Sequence, residues 1–197
     1  MKTLVIGATG HIGSAAVAAL APRHEVIGVG RTSTPGVDIE DPASIQRLFE
    51  TVGRVDAVIC AVGSAPFKPA SDLSLDDFDA AYRGKVFSQL AVFTSALPYL
   101  TDGGSITLTT GILAREPVRT GAAASLANGA IEAFVMAAAP ELPRGIRINA
   151  VSPSVLREAH GYHALFAGFE PVPSERVGLA FVRSVEGIES GRSYEVN

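Results

Sequence analysis

The chain has 197 residues, of which 47% are hydrophobic and 18% are charged, and its formal net charge is −4. This composition excludes an intrinsically disordered chain, which would combine low hydrophobicity with a high net charge. The length corresponds to about one globular domain, and the lack of a basic excess argues against a nucleic-acid-binding protein.

Short apolar segments alternate with longer helical patterns, which is typical of β-α-β units around a parallel sheet. The predicted strands cover residues 3–7, 25–30, 37–39, 57–61, 105–110, 147–151 and 193–196. The predicted helices cover residues 11–20, 42–52, 75–100, 121–139 and 174–184, with a break near Gly84. Asp41 before Pro42, and Ser74 with Asp77, have the spacing of helix N-caps.

A glycine-rich loop joins the first predicted strand to the first helix and reads Gly7-Ala8-Thr9-Gly10-His11-Ile12-Gly13. Glycines permit a tight turn and close backbone approach, so that the amide groups of the helix N-terminus face a diphosphate. The spacing G-x-x-G-x-x-G differs from the dinucleotide fingerprint G-x-G-x-x-G. We expect a nucleotide-binding loop, with a merely tight strand-to-helix turn as the alternative. His11 either touches a phosphate or faces water.

The end of the second predicted strand reads Val29-Gly30-Arg31-Thr32-Ser33 and carries no acidic residue. NAD sites place a carboxylate there for the ribose 2′-hydroxyl, whereas NADP sites use an arginine for the 2′-phosphate. A guanidinium group pairs with phosphate through two hydrogen bonds. Arg31 and Thr32 therefore favour NADP(H) over NAD(H), with a solvated surface arginine as the alternative. Asp38 is placed to approach the adenine ring.

The segment Gly145-Ile146-Arg147-Ile148-Asn149-Ala150-Val151-Ser152-Pro153, together with the glycine loop and the chain length, resembles the short-chain dehydrogenase/reductase family. The resemblance covers nearly the whole chain. It implies one α/β domain over residues 1–197 with a Rossmann-like, doubly wound, seven-stranded parallel sheet. It also implies a nicotinamide cofactor contacted by Ala61, Gly63 and Pro153. A small substrate lobe is expected around residues 154–172.

The same resemblance implies hydride transfer only where the active-site residues of the family are present. The family uses a Ser at the end of the fifth strand, a Tyr-x-x-x-Lys in the next helix, and an Asn in the preceding long helix. These positions fall on Gly111, on Ala124 and Asn128, and at or near Lys85. Alanine has no proton to donate, whereas Asn128 can still hydrogen-bond a ribose hydroxyl. No catalytic residue of the standard set is therefore expected to be intact.

Three hydroxyl-bearing residues lie next to the substituted positions and are weak candidates for a replacement acid. Thr109 has the strand parity of the serine position, whereas Thr110 points to the other face unless the strand has already ended. Ser125 lies about 100° round the helix from the tyrosine position. Arg115 and Glu116, on the following loop, either reach a substrate or are ordinary surface residues.

The predicted lobe contains Glu158, His160 and His163, whose side chains are of metal-ligating types. No His-Glu-x-x-His pattern and no cysteine partner accompany them, so we expect no metal site. A lid with a polar tip, including Tyr162, is the favoured interpretation of this segment.

Two functions from different classes follow. The first is an NADP(H)-binding oxidoreductase that acts on a small carbonyl or alcohol by a non-standard mechanism. The second is a catalytically inactive nucleotide-binding or sensing protein that regulates a protein partner, so whether the chain is an enzyme stays open. A structural subunit that keeps the fold alone is a weaker third possibility.

Small residues in the 121–139 helix predict a homodimer or homotetramer, with simple core packing as the alternative. The single cysteine, Cys60, and the lack of an export signal predict a cytoplasmic protein. Neither a membrane nor a nucleic acid is an expected partner.

Overall fold

The computed structural model describes all residues from Met1 to Asn197. The main elements in chain order are β1 (Lys2–Ile6), α1 (His11–Leu20), β2 (Glu25–Val29), α2 (Pro42–Val52), β3 (Val55–Cys60), α3 (Leu75–Ala81), α4 (Ser88–Ala96), β4 (Leu100–Thr109), α5 (Ala122–Ala138), β5 (Arg147–Pro153), α6 (Ser174–Glu186) and β6 (Ser193–Val196). All six strands pair in parallel, in the order β2-β1-β3-β4-β5-β6.

Helices cover both faces of this sheet. On one face α2, α4 and α5 enclose a core of 25 buried residues that includes Phe49, Val92 and Ile131. On the other face α1 and α6 enclose a core of 13 buried residues that includes Leu20 and Phe181. Strands covered on both faces read as continuous apolar runs. The predicted doubly wound, Rossmann-like α/β domain is confirmed.

The prediction of a seventh strand at residues 37–39 is wrong. The backbone N–H of Val37 donates to the carbonyl oxygen of Gly30 at 3.0 Å, closing a turn after β2. The N–H of Asp38 donates to Ser44 Oγ at 3.0 Å. Because these amides are used within the connection to α2, they cannot extend a ladder along β2, and β2 remains the edge strand.

The predicted break near Gly84 is confirmed, and it is a π-helical turn over Tyr82–Phe87 between α3 and α4. The predicted helix nevertheless extends too far, because Pro98 lies in a 3₁₀ turn after α4 and β4 begins at Leu100. Both predicted N-caps are present. Ser74 and Asp77 form a reciprocal capping box at the start of α3, and the Asp41 carboxylate accepts the N–H of Ala43 at 2.9 Å.

The chain winds outward from the middle of the sheet, because β2 lies on one side of β1 and β3 on the other. The loops at the carboxyl ends of β1 and β3 therefore diverge. Ligands of open α/β sheets bind in the crevice outside such a reversal point. The topology alone thus predicts a site at the carboxyl ends of β1 and β3.

One helical stretch, Ala122–Glu141, is long and apolar enough to cross a membrane by length and composition, a test that core helices of soluble proteins also pass. Within the fold, Ala127, Ile131 and Val135 of α5 pack into the core beside the sheet. The outer face of the helix exposes Leu126 and Met136. The apolar composition of α5 is therefore only partly explained by packing within one chain.

The closest approach of α1 and α6 occurs at Gly178. A Cβ at this position would lie 2.8 Å from the carbonyl oxygen of Ala15 and 2.9 Å from the Cβ of Ala19. Glycine here therefore sets the distance between the two helices on that face of the sheet.

We expect Gly178→Ala to lower the free energy of unfolding by about 1–3 kcal/mol, because the added methyl group forces the helices apart. At an open helical position the same change stabilises by roughly 0.5–1 kcal/mol, so the sign itself is diagnostic. Urea denaturation measures the change. Leu179→Ala, in the same helix with 65% exposure, is the control and should stay within about 0.5 kcal/mol. A stabilised Gly178→Ala would contradict the contact.

Candidate functional site: a cleft along the strand ends

The glycine loop is compact because its glycines touch backbone. A Cβ at Gly7 would overlap the carbonyl oxygen of Ala61, and one at Gly13 would overlap the carbonyl oxygen of Gly7. Gly7 also has a φ of +88°, in the left-handed region that favours glycine. The N–H groups of Gly7 and Ala8 both donate to the carbonyl oxygen of Val29. The loop is thus held between the ends of β2 and β3.

The N-terminus of α1 opens directly onto the cleft. Gly10 occupies the N-cap position without any side-chain hydrogen bond, and the first turn carries no acidic residue. The first backbone N–H groups of a helix have no partner within the helix, and the helix dipole favours an anion there. Gly10, His11 and Ile12 line the cleft at this point. The arrangement suits a phosphate group.

An outer cavity of about 330 Å³ lies between the glycine loop and the turn after β2. Arg31 lines it and is exposed, whereas Thr32 does not line it. Asp38 does not line it either, because its carboxylate turns to the N–H of Glu40 at 3.0 Å. The neighbours of Asp38 in the sequence, Val37 and Ile39, line the cavity together with Glu40, which the sequence analysis did not single out.

An inner cavity of about 450 Å³ lies over the ends of β3, β4 and β5. Its walls include all four residues at which the family resemblance of the sequence predicts catalytic positions, namely Lys85, Gly111, Ala124 and Asn128. Its apolar wall is formed by Ala65, Phe67, Ile112, Leu113, Val155, Leu156 and Phe166. The fold therefore brings together residues that lie far apart in the sequence.

The two cavities form one continuous cleft. They share Gly10, Ala61, Val62, Gly63 and Ser64, which line both. The cleft therefore runs from the turn after β2, past the N-terminus of α1, to the ends of β4 and β5. Its path matches an extended dinucleotide, with a phosphate site between two separate ends.

Three buried polar atoms in the inner cavity have no hydrogen-bond partner, namely Thr109 Oγ1, Asn128 Oδ1 and Ser154 Oγ. All three residues are at most 5% exposed. Buried polar atoms without partners cost about 1–3 kcal/mol each, which indicates a place where a polar ligand binds. The residues present thus fit a nicotinamide ribose and carboxamide. Ser154 was missed in the sequence, where only its position after Pro153 could have indicated it.

Gln89 in α4 fixes the geometry of the strand ends. Its side-chain oxygen accepts the N–H of Thr109 at 2.9 Å, and its Nε2 donates to the carbonyl oxygens of Thr109 at 2.8 Å and Val62 at 3.1 Å. The residue is fully buried. No local pattern in the sequence distinguishes this glutamine from an ordinary polar residue of an amphipathic helix.

A polar network behind the cavity occupies two of the candidate residues. The Thr110 hydroxyl donates to Glu132 at 2.8 Å, and Ser152 donates to the same carboxylate at 3.0 Å. Arg115 forms ion pairs with Glu132 and, at 3.2 Å, with Glu195. Thr110 and Arg115 are therefore engaged in structural contacts. β4 ends at Thr109, and Thr110 lines the inner cavity, but its hydroxyl is engaged by Glu132.

The other weak candidates differ in whether they line the inner cavity. Ser125 and Glu116 do not line the cavity, whereas Thr109 does. Thr109 is the one residue of this set that lines the inner cavity and has a buried hydroxyl without a hydrogen-bond partner.

Residues 154–172 lie across the inner cavity, where Tyr162 and Phe166 contribute to its wall. An isolated bridge joins Leu156 to Val172 at the two ends of this segment. Glu158 turns away toward the start of α6, where it accepts a hydrogen bond from the Ser174 hydroxyl at 3.2 Å. The His160 and His163 rings meet edge to face with centroids 5.1 Å apart, and no third ligand joins them.

Lys85 enters the inner cavity from the π-helical turn and is partly buried. Its Nζ donates to the carbonyl oxygen of Thr110 at 3.4 Å. Its alkyl chain crosses Gly63, where a Cβ would lie 2.8 Å from Lys85 Cγ. Burial lowers the pKa of Lys85 from 10.5 to about 8, and the nearby carboxylate of Glu132 offsets this effect only in part.

Comparison with known proteins agrees with this geometry. A family model described as enoyl-(acyl carrier protein) reductase matches residues 9–175. The structure of the protein lin1944 from Listeria innocua superposes with a TM-score of 0.97 at 45% sequence identity, covering 100% of both chains. A small-chain dehydrogenase in complex with NADPH superposes with a TM-score of 0.89 at 27% identity, covering 100% of this chain and 96% of the other.

The chain belongs to the short-chain dehydrogenase/reductase family. A curated relative, the hydroxynaphthalene reductase-like protein Arp2 of Metarhizium brunneum, is 26% identical over 176 residues, which cover 81% of this chain and 66% of the relative. The matched regions span between 50% and 66% of the length of the first curated relatives.

The residues at the predicted catalytic positions of the short-chain dehydrogenase/reductase family all line the inner cavity. At the serine position, a Cβ on Gly111 would lie 3.3 Å from Asn128 Nδ2. The resemblance in the sequence predicted the family's lysine position at Asn128 and its asparagine position at or near Lys85, and the structure places both residues in the wall of the inner cavity. An amine and an amide are therefore both present in this cavity.

The depressed pKa of Lys85 implies a penalty on stability. Above pH 10.5 the amine is neutral in both the folded and unfolded states, so there is no penalty. The penalty grows as the pH falls from 10.5 to about 8, and it is complete below that value.

We therefore expect Lys85→Met to be more stable than the wild type at pH 7, by at most about 3 kcal/mol and by less where the amine is solvated. The advantage should shrink between pH 8 and pH 10. Urea denaturation at several pH values measures this difference. Lys68→Met is the control, because Lys68 pairs with Asp77 at 2.6 Å and its removal should bring no gain. A variant less stable than the wild type at pH 7 would contradict the burial of this amine.

Proposed function

We propose that this short-chain dehydrogenase/reductase binds NADP(H) and acts as an oxidoreductase on a small carbonyl or alcohol substrate. The observation that carries the proposal is the continuous cleft, which ends at three buried polar atoms without partners, on Thr109, Asn128 and Ser154. A ligand that fills the whole cleft needs a diphosphate in its middle and a polar ring system at its inner end.

The residues of the cleft divide the binding of such a cofactor among them. The N-terminus of α1, beginning at His11, would hold the diphosphate, and Asn128 Oδ1 would accept a hydrogen bond from a ribose hydroxyl. Thr109 and Ser154 would contact the nicotinamide end. When bound, the nicotinamide supplies or accepts a hydride. The apolar wall near Phe67 would exclude water from the reacting carbon.

Arg31 supports NADP(H) over NAD(H). It lines the outer cavity and is exposed, and no acidic residue follows β2 directly to meet a ribose 2′-hydroxyl. A guanidinium group at this point pairs with a 2′-phosphate, which NADH lacks. Glu40 also lines this cavity, so the preference depends on the arginine rather than on a uniformly positive surface.

Isothermal titration calorimetry tests this preference. We expect NADPH to bind more tightly than NADH, and Arg31→Ala to weaken NADPH binding about tenfold, which corresponds to about 1.4 kcal/mol for a solvent-exposed charged contact. NADH binding should change little, since the variant removes only the phosphate contact. Tighter binding of NADH by the wild type would contradict the role of Arg31.

Arg54→Ala is the matched control. Arg54 is also an exposed arginine, but it precedes β3 and therefore lies at the amino ends of the parallel strands, away from the cleft. Its removal changes the net charge of the chain by the same amount. If both variants weakened NADPH binding equally, the effect would be one of overall charge rather than of a phosphate contact.

The standard proton relay of the family is not supported by the residues at its positions. Gly111 has no hydroxyl to polarise a carbonyl, and Ala124 has no proton to donate. Loss of a general acid typically costs about 10²- to 10⁴-fold in rate. Catalysis by this chain would therefore require another proton donor or would depend mainly on orientation of the substrate.

The second candidate function is a catalytically inactive nucleotide-binding protein that regulates a protein partner. The substitutions at Gly111 and Ala124 favour it, because they remove chemistry while leaving the cleft intact. Monitoring NADPH oxidation over a panel of aldehydes and ketones distinguishes the two functions. Turnover supports the oxidoreductase, whereas tight cofactor binding without turnover of any compound supports the sensor.

The exposed apolar side chains of α5 support a homodimer or homotetramer. Leu126 is 57% exposed and Met136 is 67% exposed on the face of this helix that points away from the sheet. Between them lie small residues such as Gly129 and Ala130, which permit close approach of a second helix. An apolar face of this kind is typical of a surface covered by association.

Analytical ultracentrifugation tests the association. We expect the wild type to sediment as a dimer or tetramer and Leu126→Glu to shift it toward the monomer, because a buried unpaired carboxylate opposes association. Ile188→Glu is the control, since Ile188 is 95% exposed and lies outside α5. A monomeric wild type would contradict the proposed interface.

A further inference from the structure

The inner cavity contains one amine whose environment is not explained by packing. The three lysines of the chain are Lys2, Lys68 and Lys85. Lys2 donates to the carbonyl oxygen of Val52 at 2.8 Å, and Lys68 pairs with Asp77. Lys85 has only a long contact to a backbone carbonyl, at 3.4 Å, and no carboxylate within ion-pair distance. Its remaining N–H bonds are therefore available to a ligand.

The groups that face Lys85 do not neutralise it. Cys60, at the end of β3, is fully buried, and burial raises the pKa of its thiol to about 12, so the thiol is neutral at physiological pH. Glu132 on α5 is held by Arg115, Thr110 and Ser152. The carboxylate is thus already matched.

Contacts with the backbone on both sides of Lys85 fix its position in the inner cavity. The N–H of Ser64 donates to the carbonyl oxygen of Gly84 at 3.0 Å, which ties the loop after β3 to the π-helical turn. Any side chain on Gly63 would collide with Lys85. These two contacts hold Lys85 in the inner cavity, whose walls also include Gly111 and Asn128, and its Nζ reaches the carbonyl oxygen of Thr110, the residue before Gly111.

We propose that Lys85 is the proton donor to the carbonyl oxygen of the substrate, in place of the tyrosine that the rest of the family uses. This inference rests on the proposed oxidoreductase function. It assigns one role to Asn128 and another to Lys85. Asn128 holds the ribose hydroxyl without a charge, and Lys85 supplies the charge and the proton from the π-helical turn.

The proton transfer is balanced as follows. In reduction, an N–H bond of the Lys85 ammonium breaks and the O–H bond of the product alcohol forms. The two electrons arrive with the hydride that a reduced nicotinamide supplies. The neutral amine then regains a proton from water at the open end of the cleft. Alcohol oxidation is the reverse, with the neutral amine of Lys85 accepting the proton.

An amine that titrates near pH 8 suits both directions, because an acid–base catalyst works best when its pKa lies near the working pH. The direction of the pH effect follows from this. Reduction requires the ammonium form, so its rate should fall as the pH rises through about 8. Oxidation requires the neutral form, so its rate should rise over the same interval.

The first test needs no substrate. Reductive methylation with ¹³C-formaldehyde labels the three lysines and the Met1 α-amine, and ¹³C NMR follows each titration, with Lys85→Arg assigning the Lys85 signal. We expect the Lys85 signal to titrate about two pH units below those of the other two lysines, and NADP⁺ to move it further down because the nicotinamide ring is cationic. A Lys85 signal that titrates with the other two, or that ignores NADP⁺, would overturn the proposal.

The second test uses the carbonyl that the wild type reduces best. We expect Lys85→Met to bind NADPH within about twofold of the wild type, so that a loss of turnover does not reflect a lost cofactor. Its kcat should fall about 10²- to 10⁴-fold. Lys85→Arg keeps the charge but does not release a proton below pH 12, so it should lack the pH-dependent limb near 8. Lys68→Gln is the control and should keep both kcat and its pH profile.

The outcomes separate this inference from the proposed function. If the wild type does not bind NADPH, the proposed function fails, whatever the titration of Lys85. If the wild type binds NADPH and reduces a carbonyl, and Lys85→Met does so at the same rate, only the assignment of Lys85 fails. If the wild type binds NADPH and reduces no carbonyl in the panel, Lys85 is not a proton donor. Circular dichroism and urea denaturation confirm that each variant is folded.

Discussion

The buried amide of Gln89 is the interaction on which the functional part of the molecule depends. It satisfies both backbone groups of Thr109 and the carbonyl oxygen of Val62, and so joins α4 to the ends of β3 and β4. Leaving such buried groups without partners would cost about 1–3 kcal/mol each. Because Lys85 lies one turn before Gln89, the same anchor sets where the π-helical turn presents its amine.

At the other end of the cleft, contacts between backbone atoms fix the position of the glycine loop. Gly7 and Gly13 touch each other and the end of β3 so closely that no side chain fits between them. The N-terminus of α1 is thereby aimed along the strand ends. Binding therefore depends on main-chain positions that tolerate no substitution, whereas the chemistry depends on side chains that a family member can exchange.

The inner cavity combines small residues with buried polar ones. Gly111 and Ala124 contribute no polar side chain to its wall, whereas Thr109, Asn128 and Ser154 line it and have buried polar atoms without partners. Lys85 lines the same cavity, and burial lowers the pKa of its amine to about 8. The proposed role of Lys85 as a proton donor depends on this environment.

The sequence predicted those features that depend on local pattern. Apolar runs separated by helical segments predicted the doubly wound domain, the glycine spacing predicted the loop, and the residues around Gly84 predicted a helix break. It failed where long-range hydrogen bonds decide the outcome. Residues 37–39 have strand-like composition, but their amides are used by Gly30 and Ser44. Thr110, a weak candidate for a replacement acid, is held by a contact that the sequence did not show, because its hydroxyl donates to Glu132.

By itself, the sequence therefore determined the fold class and the position of the glycine loop between the first strand and the first helix, because these are properties of spacing and residue type. That the serine and tyrosine positions of the family fall on Gly111 and Ala124 stays a prediction. Only the tertiary structure decided that Lys85 and Asn128 line the same cavity, that no carboxylate lies within ion-pair distance of Lys85, that Ser154 lines this cavity, and that Gln89 holds the strand ends beside it. The physical reason is that burial, the pKa of an amine and the pairing of polar atoms are set by neighbours that are distant in the chain.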